Sequence, residues 1–289
     1  MNKKVYIIAG AIIMALAIIA GSCISSTNEQ KTESDKTDKG NVSESIGEKP
    51  LNLSVYLDLS DRLIKGNGAV TQVENDTALI NCIFETFLER CKKSILKNKD
   101  HFQIFFYPQP KQDNINQIVK ELNLDLRKTA LTQKKKAVTD FQSSYKDHVA
   151  SIYNSTIKLH NFIGSDIWGF FSNKKVDQYC IREGYRNVLI IITDGYIFHV
   201  NNKKKDGKAY SYILQQTLSV PGSSLIVARD GLENLEVLML EINPSPKDHD
   251  EMLRVLSKWF EDMGVSKYLI NETDIATNTE AVISSFLKR

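Results

Sequence analysis

The feature that most narrows what this chain can fold into is a continuous aliphatic run, Val188-Leu189-Ile190-Ile191-Ile192, followed at once by Thr193-Asp194-Gly195. Successive side chains of a strand point to opposite faces, so a run with no polar position must be covered on both. It predicts a central parallel strand with helices on either side and an acidic turn at its C-terminal end.

The rest of the chain supplies partners for such a strand. Leu51, Leu53, Val55 and Leu57 alternate with more polar neighbours and end at Asp58, which predicts a second strand delivering a carboxylate at its C-terminal end. Leu79, Ile80, Ile83, Phe84, Phe87, Leu88, Cys91 and Ile95 recur at spacings of three and four, the apolar stripe of a helix from about Thr77 to Leu96. Phe102 to Tyr107 reads as a strand stopped by Pro108, and Leu235 to Ile242 as another, ended before Pro244. Met252, Leu253, Leu256, Trp259, Phe260 and Met263 mark a helix after it, and Lys267–Ile270 with Thr279–Leu287 repeats the strand–helix order. Between Pro108 and Phe162 the chain reads as a helical insertion, with a short helix over 114–122 and a longer one over 134–162. Alternating strands and helices predict an α/β fold, an open, mainly parallel, Rossmann-like sheet flanked by helices. In such sheets ligands bind beyond the C-terminal strand ends, where Asp58 and Asp194 stand.

The first residues have a different character. Asn2-Lys3-Lys4 precedes an apolar stretch from Val5 to Ala20 and then Gly21-Ser22-Cys23, the pattern of an export signal. A spanning helix is the alternative, but the stretch falls a little short of the roughly 17–25 residues that cross a bilayer. Ala20-Gly21-Ser22-Cys23 resembles the bacterial lipobox, with Ala20 in place of the usual aliphatic residue. That resemblance implies a signal peptide over 1–22, a lipid on Cys23, a membrane anchor and a place in the bacterial cell envelope. Residues 23–50 are rich in Ser, Thr, Asn, Lys, Asp and Glu and read as a disordered tether, with the folded domain over 51–289. Cys82 and Cys91 would lie about 13 Å apart on one helix, too far to bridge, so any bridge would use Cys180, and three buried free thiols are the expectation. With 37 basic and 35 acidic residues the chain lacks the cationic excess that nucleic-acid binding exploits.

The motif residues sit at the strand ends. Val55-Tyr56-Leu57-Asp58-Leu59-Ser60-Asp61-Arg62 resembles the first strand and loop of von Willebrand factor A domains, whose pattern is Asp-x-Ser-x-Ser; Asp58 and Ser60 match. The aliphatic run ending in Thr193-Asp194-Gly195 is similar to that family's later strand, and Ile163-Gly164-Ser165-Asp166-Ile167 to its hydroxyl-bearing loop. The resemblance implies a metal-ion-dependent adhesion site in which Asp58, Ser60, Ser165 and Asp194, with Asp166 as an accessory, hold Mg²⁺ or Mn²⁺ and a partner's acidic side chain completes the coordination. Such a hard ion takes oxygen ligands and keeps several waters. Arg62 stands where the family has its second serine, and a guanidinium offers donors but no lone pair. It either turns away to pair with Asp61 or another acid, or fills the pocket and replaces the cation.

Other constellations have plainer readings. Asp248-His249-Asp250-Glu251 is expected to cap a helix, Lys134–Lys136 and Lys203–Lys205 to be solvated, and Trp168, Phe170 and Phe171 to pack in the core. No nucleophile elbow, Cys–His pair, zinc helix or phosphate-cradling glycine loop is found in the sequence, so no enzymatic activity is expected. The expected function is a tethered module that binds an envelope protein, with or without the ion. The alternatives are a metal-dependent hydrolase acting on phosphoesters and a structural domain with a dead site.

Overall fold

A computed structural model of the chain describes residues 48–64, 71–109, 113–160, 162, 164–197, 232–265, 267–272 and 276–288. The export signal, Cys23, nearly all of the tether and Lys203–Lys205 lie outside the described residues. Among those described, no helix is long and apolar enough to cross a membrane.

The strands are β1 (Leu51–Leu57), β2 (His101–Phe105), β3 (Asn123–Asp125), β4 (Arg186–Ile192), β5 (Leu235–Ile242) and β6 (Lys267–Glu272). They form one sheet in the order β3-β2-β1-β4-β5-β6, parallel except for β3. The fold is therefore α/β with a mainly parallel sheet. Chain progression runs outward from β1 in one direction and then from β4 in the other, so β1 and β4 flank the point where the order reverses.

Side-chain alternation along the strands makes two cores. Leu53, Val55, Leu57, Ile190 and Ile192 face α1 (Gln72–Lys92), α3 (Lys134–Lys158) and the C-terminal helix, α7 (Ala276–Leu287). Tyr56, Leu189 and Ile191 face α4 (Ile167–Ser172), α5 (Lys175–Cys180) and α6 (His249–Asp262). Each buried aliphatic side chain contributes roughly 1.5–3 kcal/mol. The aliphatic run occupies the central position expected of it. Phe170 and Phe171 are buried and Trp168 packs against the same core.

Several boundaries differ from those expected. Helix α1 starts at Gln72 because Thr71 and Glu74 form a capping box: Thr71 Oγ1 accepts from the Glu74 N–H at 3.2 Å while Glu74 Oε2 accepts from the Thr71 N–H at 2.7 Å. Helix α3 ends at Lys158 instead of Phe162, with His160 in the left-handed region at φ 46°. Within 108–162, after α2 (Asp113–Glu121), β3 pairs antiparallel with β2, and α3 lays Phe141, Tyr145, Val149, Ile152 and Tyr153 into the α1 core. Asp248 stands at the N-cap position of α6, but no helix amide donates to its side chain, which accepts from Ser245 Oγ instead. Lys134 is buried and donates to Asn98 O rather than lying in solvent. Cys82, Cys91 and Cys180 are free thiols.

The N-terminal edge of the sheet is pinned by charge. Arg90 bonds the Glu48 side chain, Lys49 O at 2.8 Å and Asp100 Oδ2 at 3.0 Å, and the Leu51 N–H donates to Asp100 Oδ1 at 2.7 Å. Arg186 holds the end of α7 through Phe286 O and Leu287 O.

Candidate functional site

Backbone hydrogen bonds draw the loops at the opposite edge together. The Asp58 N–H donates to Ile192 O at 3.1 Å, which continues the β1–β4 ladder past the end of β1. The Leu59 N–H donates to Gly164 O at 3.1 Å, fastening the Ser165 loop to the β1 loop, and the Asp166 N–H donates to Tyr107 O at 2.9 Å. Close approach there requires glycine: a Cβ on Gly164 would lie 2.7 Å from Phe106 Cδ2 and 2.9 Å from Leu59 Cδ1. Asp58, Ser60, Ser165 and Asp194 thus come from loops at one edge of the sheet, beside the crevice between β1 and β4.

Each has local duties. Asp58 is buried; its Oδ1 accepts from the Ser60 N–H at 2.9 Å and its Oδ2 from Thr193 Oγ1 at 2.7 Å. Burial pushes its carboxyl above the ordinary aspartate range, against the pull of Arg62, Thr193 and Ser60. Thr193 also accepts from the Gly195 N–H at 3.2 Å, and Asp194 Oδ1 from the Tyr196 N–H at 3.2 Å, so the turn after β4 is built on its own side chains. Ser165 donates to Phe162 O at 3.0 Å. Asp166 caps α4, accepting from the Gly169 N–H at 2.7 Å. Ser60, Ser165 and Asp194 are each half-buried.

Arg62 turns inward, and the acid it finds is Asp76 on α1. It lies in a short 3₁₀ turn, Asp61–Ile64, buried at 5% exposure. Its Nη2 and Nη1 donate to Asp76 Oδ2 and Oδ1 at 2.6 and 3.3 Å, a bidentate pair, and its Nε lies 3.7 Å from Asp58 Oδ2. Burial would lower the Arg62 pKa, but Asp76 and Asp58 hold it above its ordinary value, so the guanidinium stays charged. Tyr153 from α3 donates to Asp76 Oδ2 at 2.7 Å, and Gln72 to Asp76 Oδ1 at 2.9 Å. Buried Glu241, in β5 with φ 68°, faces the same group: burial and Asp76 raise its carboxyl, while Arg62 and Gln72 pull it down.

A divalent ion fits these residues poorly. One hydroxyl of the resembled pattern is replaced by a cation, that cation lies 3.7 Å from Asp58 Oδ2, and Asp166 is turned to its helix. Among the described residues, no group of three or more His, Cys, Asp or Glu side chains is placed to hold a metal.

Asp76, Tyr153, Gln72 and Glu241 were not read from the sequence as site residues. One signal was present: Asp76 precedes Leu79, Ile80 and Ile83 by three, four and seven positions, which sets an acid on the buried stripe of α1.

No known family model matches the chain, and no curated protein matches it. Among solved structures it is similar to an aerotolerance-related membrane protein from Bacteroides fragilis carrying multiple mutations to serines, at 12% identity over 82% of this chain and 98% of that one, with a TM-score of 0.40. The conserved hypothetical protein BatB from Bacteroides thetaiotaomicron gives 12% identity, 82% and 98% coverage and a TM-score of 0.39. The pilus adhesin SpaC from Lactobacillus rhamnosus GG, in its open conformation, gives 11% identity over 84% of this chain and 30% of that one, with a TM-score of 0.37. The α/β class stands on the strand order and register of this chain itself.

Proposed function

We propose that the chain is a bacterial envelope lipoprotein, anchored through Cys23 and a tether, whose von Willebrand factor A-like domain binds another protein of the envelope. The observation that carries this reading is the convergence of the Ser60, Ser165 and Asp194 loops where the strand order reverses, with all three side chains within reach of solvent. That is the position at which open parallel sheets present ligand-binding loops. Hydroxyls and a carboxylate on a rim fixed by backbone hydrogen bonds offer a polar, preorganised surface for a protein partner. Ile64, 51% exposed, adds an apolar contact at the end of the same β1 loop.

The test uses the full-length chain in the membranes of the cells that make it. S60W and S165W place bulk on the proposed surface, while E183W, before β4 at the opposite edge, serves as the control. The reading expects a partner that co-purifies with wild type and E183W and is lost from both edge variants at equal fold stability. Equal capture by all of them would overturn it. The anchor is tested separately: C23A should abolish incorporation of a labelled fatty acid and move the protein from the membrane to the aqueous fraction, and retention of both label and membrane association would contradict lipidation at Cys23.

A further inference from the structure

We infer that Arg62 takes the place of the divalent ion in this domain, so that the edge is held in its binding-ready form by an internal cation and needs no Mg²⁺ or Mn²⁺.

The surroundings of Arg62 are those of a cation site. Its guanidinium is met by oxygens alone: Asp58 O at 3.2 Å, Ile192 O at 3.2 Å, and both carboxylate oxygens of Asp76, with Asp58 Oδ2 a little farther out at 3.7 Å. Carbonyls and carboxylates are the ligand types a hard cation takes. Two of these oxygens are the backbone carbonyls at the C-terminal ends of β1 and β4, the strands whose loops carry Asp58, Ser60, Thr193 and Asp194. The positive charge therefore ties together the same loops that a coordinated ion would tie.

The anchor behind it is just as specific. Asp76 is fully buried, and Tyr153 and Gln72 donate to it from α3 and from the first turn of α1. Three helix and loop elements thus hold a group that begins at the sequence position of a metal-ligating serine. A surface arginine that had merely swung aside would not be buried in such a cage.

Charge works against sharing. The Arg62 guanidinium lies 3.7 Å from Asp58 Oδ2 while paired bidentately with Asp76, and the two Asp58 oxygens accept from the Ser60 N–H and the Thr193 hydroxyl. A divalent ion would settle beside a like charge in a buried setting, where repulsion is weakly screened.

The inference rests on the loops of the proposed binding surface, but its test involves no partner, so the two can fail independently. Mn²⁺ is titrated into the full-length chain with the free ion followed by electron spin resonance, and Mg²⁺ by calorimetry, for wild type, D58N, R62S, R62S/D76N and R62S/D76N/D58N. R62S restores the Asp-x-Ser-x-Ser pattern, and D76N removes the acid that R62S would orphan. The expected result is no saturable binding by wild type through millimolar ion, and saturable binding gained by R62S/D76N and lost again with D58N. Saturable binding by wild type that D58N abolishes would overturn the inference, as would a folded R62S/D76N protein that stays silent. The wild-type titration decides alone when the variants do not fold.

Discussion

A buried guanidinium is costly unless its donors are met, and Arg62 meets Asp76 through Nη1 and Nη2 while Nε donates to Asp58 O and Nη2 also to Ile192 O. Removing either partner leaves the other charge buried and uncompensated, so R62M or D76N is expected to cost about 3–5 kcal/mol in urea unfolding. The double variant R62M/D76N should lose clearly less than the sum of the two, because the orphaned charge is gone; strict additivity would show that the pair is not coupled. A second residue-scale prediction concerns His101, buried on β2, with Nδ1 2.6 Å from Asn52 Oδ1. Burial, with Arg182 nearby, lowers its pKa from 6.5 to about 4. Between these values the unfolded chain binds a proton that the folded one does not, so stability falls as pH drops from 6.5 towards 4. The gap amounts to at most about 3 kcal/mol. H101Q, which cannot charge, should lose that part of the acid sensitivity, and pH profiles of unfolding free energy that coincide for wild type and H101Q would refute the assignment. These residues were hard to read in the chain. Arg62 was visible as a departure from a pattern, but Asp76, 14 positions on, and Tyr153, 77 beyond Asp76, reach it only through tertiary packing.

The elements position that chemistry. Helix α1 turns its apolar stripe, from Leu79 onward, to the core, while its first two turns carry Gln72 and Asp76 to the C-terminal edge of the sheet. Apolar periodicity therefore placed the start of this helix five residues late, because its first turn follows the needs of the polar group and not those of the core. The capping box there is expected to contribute about 1 kcal/mol, so T71A should lower the unfolding free energy by that amount; an unchanged value would mean that the cap is dispensable. Gly164 is a tight point of the edge. G164A would drive a methyl into Phe106 and Leu59, at an expected cost of about 1–3 kcal/mol, and shift the Ser165 loop away from Leu59. The expected readout is weakened partner capture in a protein that still unfolds cooperatively, and full capture would show that the placing of this loop does not matter. Strand β3 escaped the sequence reading because Asn123-Leu124-Asp125 is too short to display alternation.

At the scale of the whole molecule, the two edges of the sheet have separate roles. The chain comes into β1 through residues clamped by Arg90 and Asp100, and α7 ends against Arg186, both at the N-terminal edge. The seven residues of β1 then carry it about 23 Å to the Asp58 loop. A partner engaging Ser60 and Ser165 therefore meets the face remote from residues 48–51. The sheet itself was legible because β4 leaves a continuous apolar run and β1 an alternating one, and the positions of Asp58 and Asp194 because each stands just past one of these strands. What the runs could not show is how loops distant in sequence meet, which Gly164, the Thr193 hydroxyl and the Arg62 cage decide in three dimensions. The most direct test of the central claim is photo-crosslinking in intact cells, with the photoreactive residue placed at Ser60, at Ser165 or at Glu183 of the full-length protein. The account predicts one partner adduct shared by positions 60 and 165 and absent at 183. An adduct confined to 183, or one equally strong at all three positions, would contradict it.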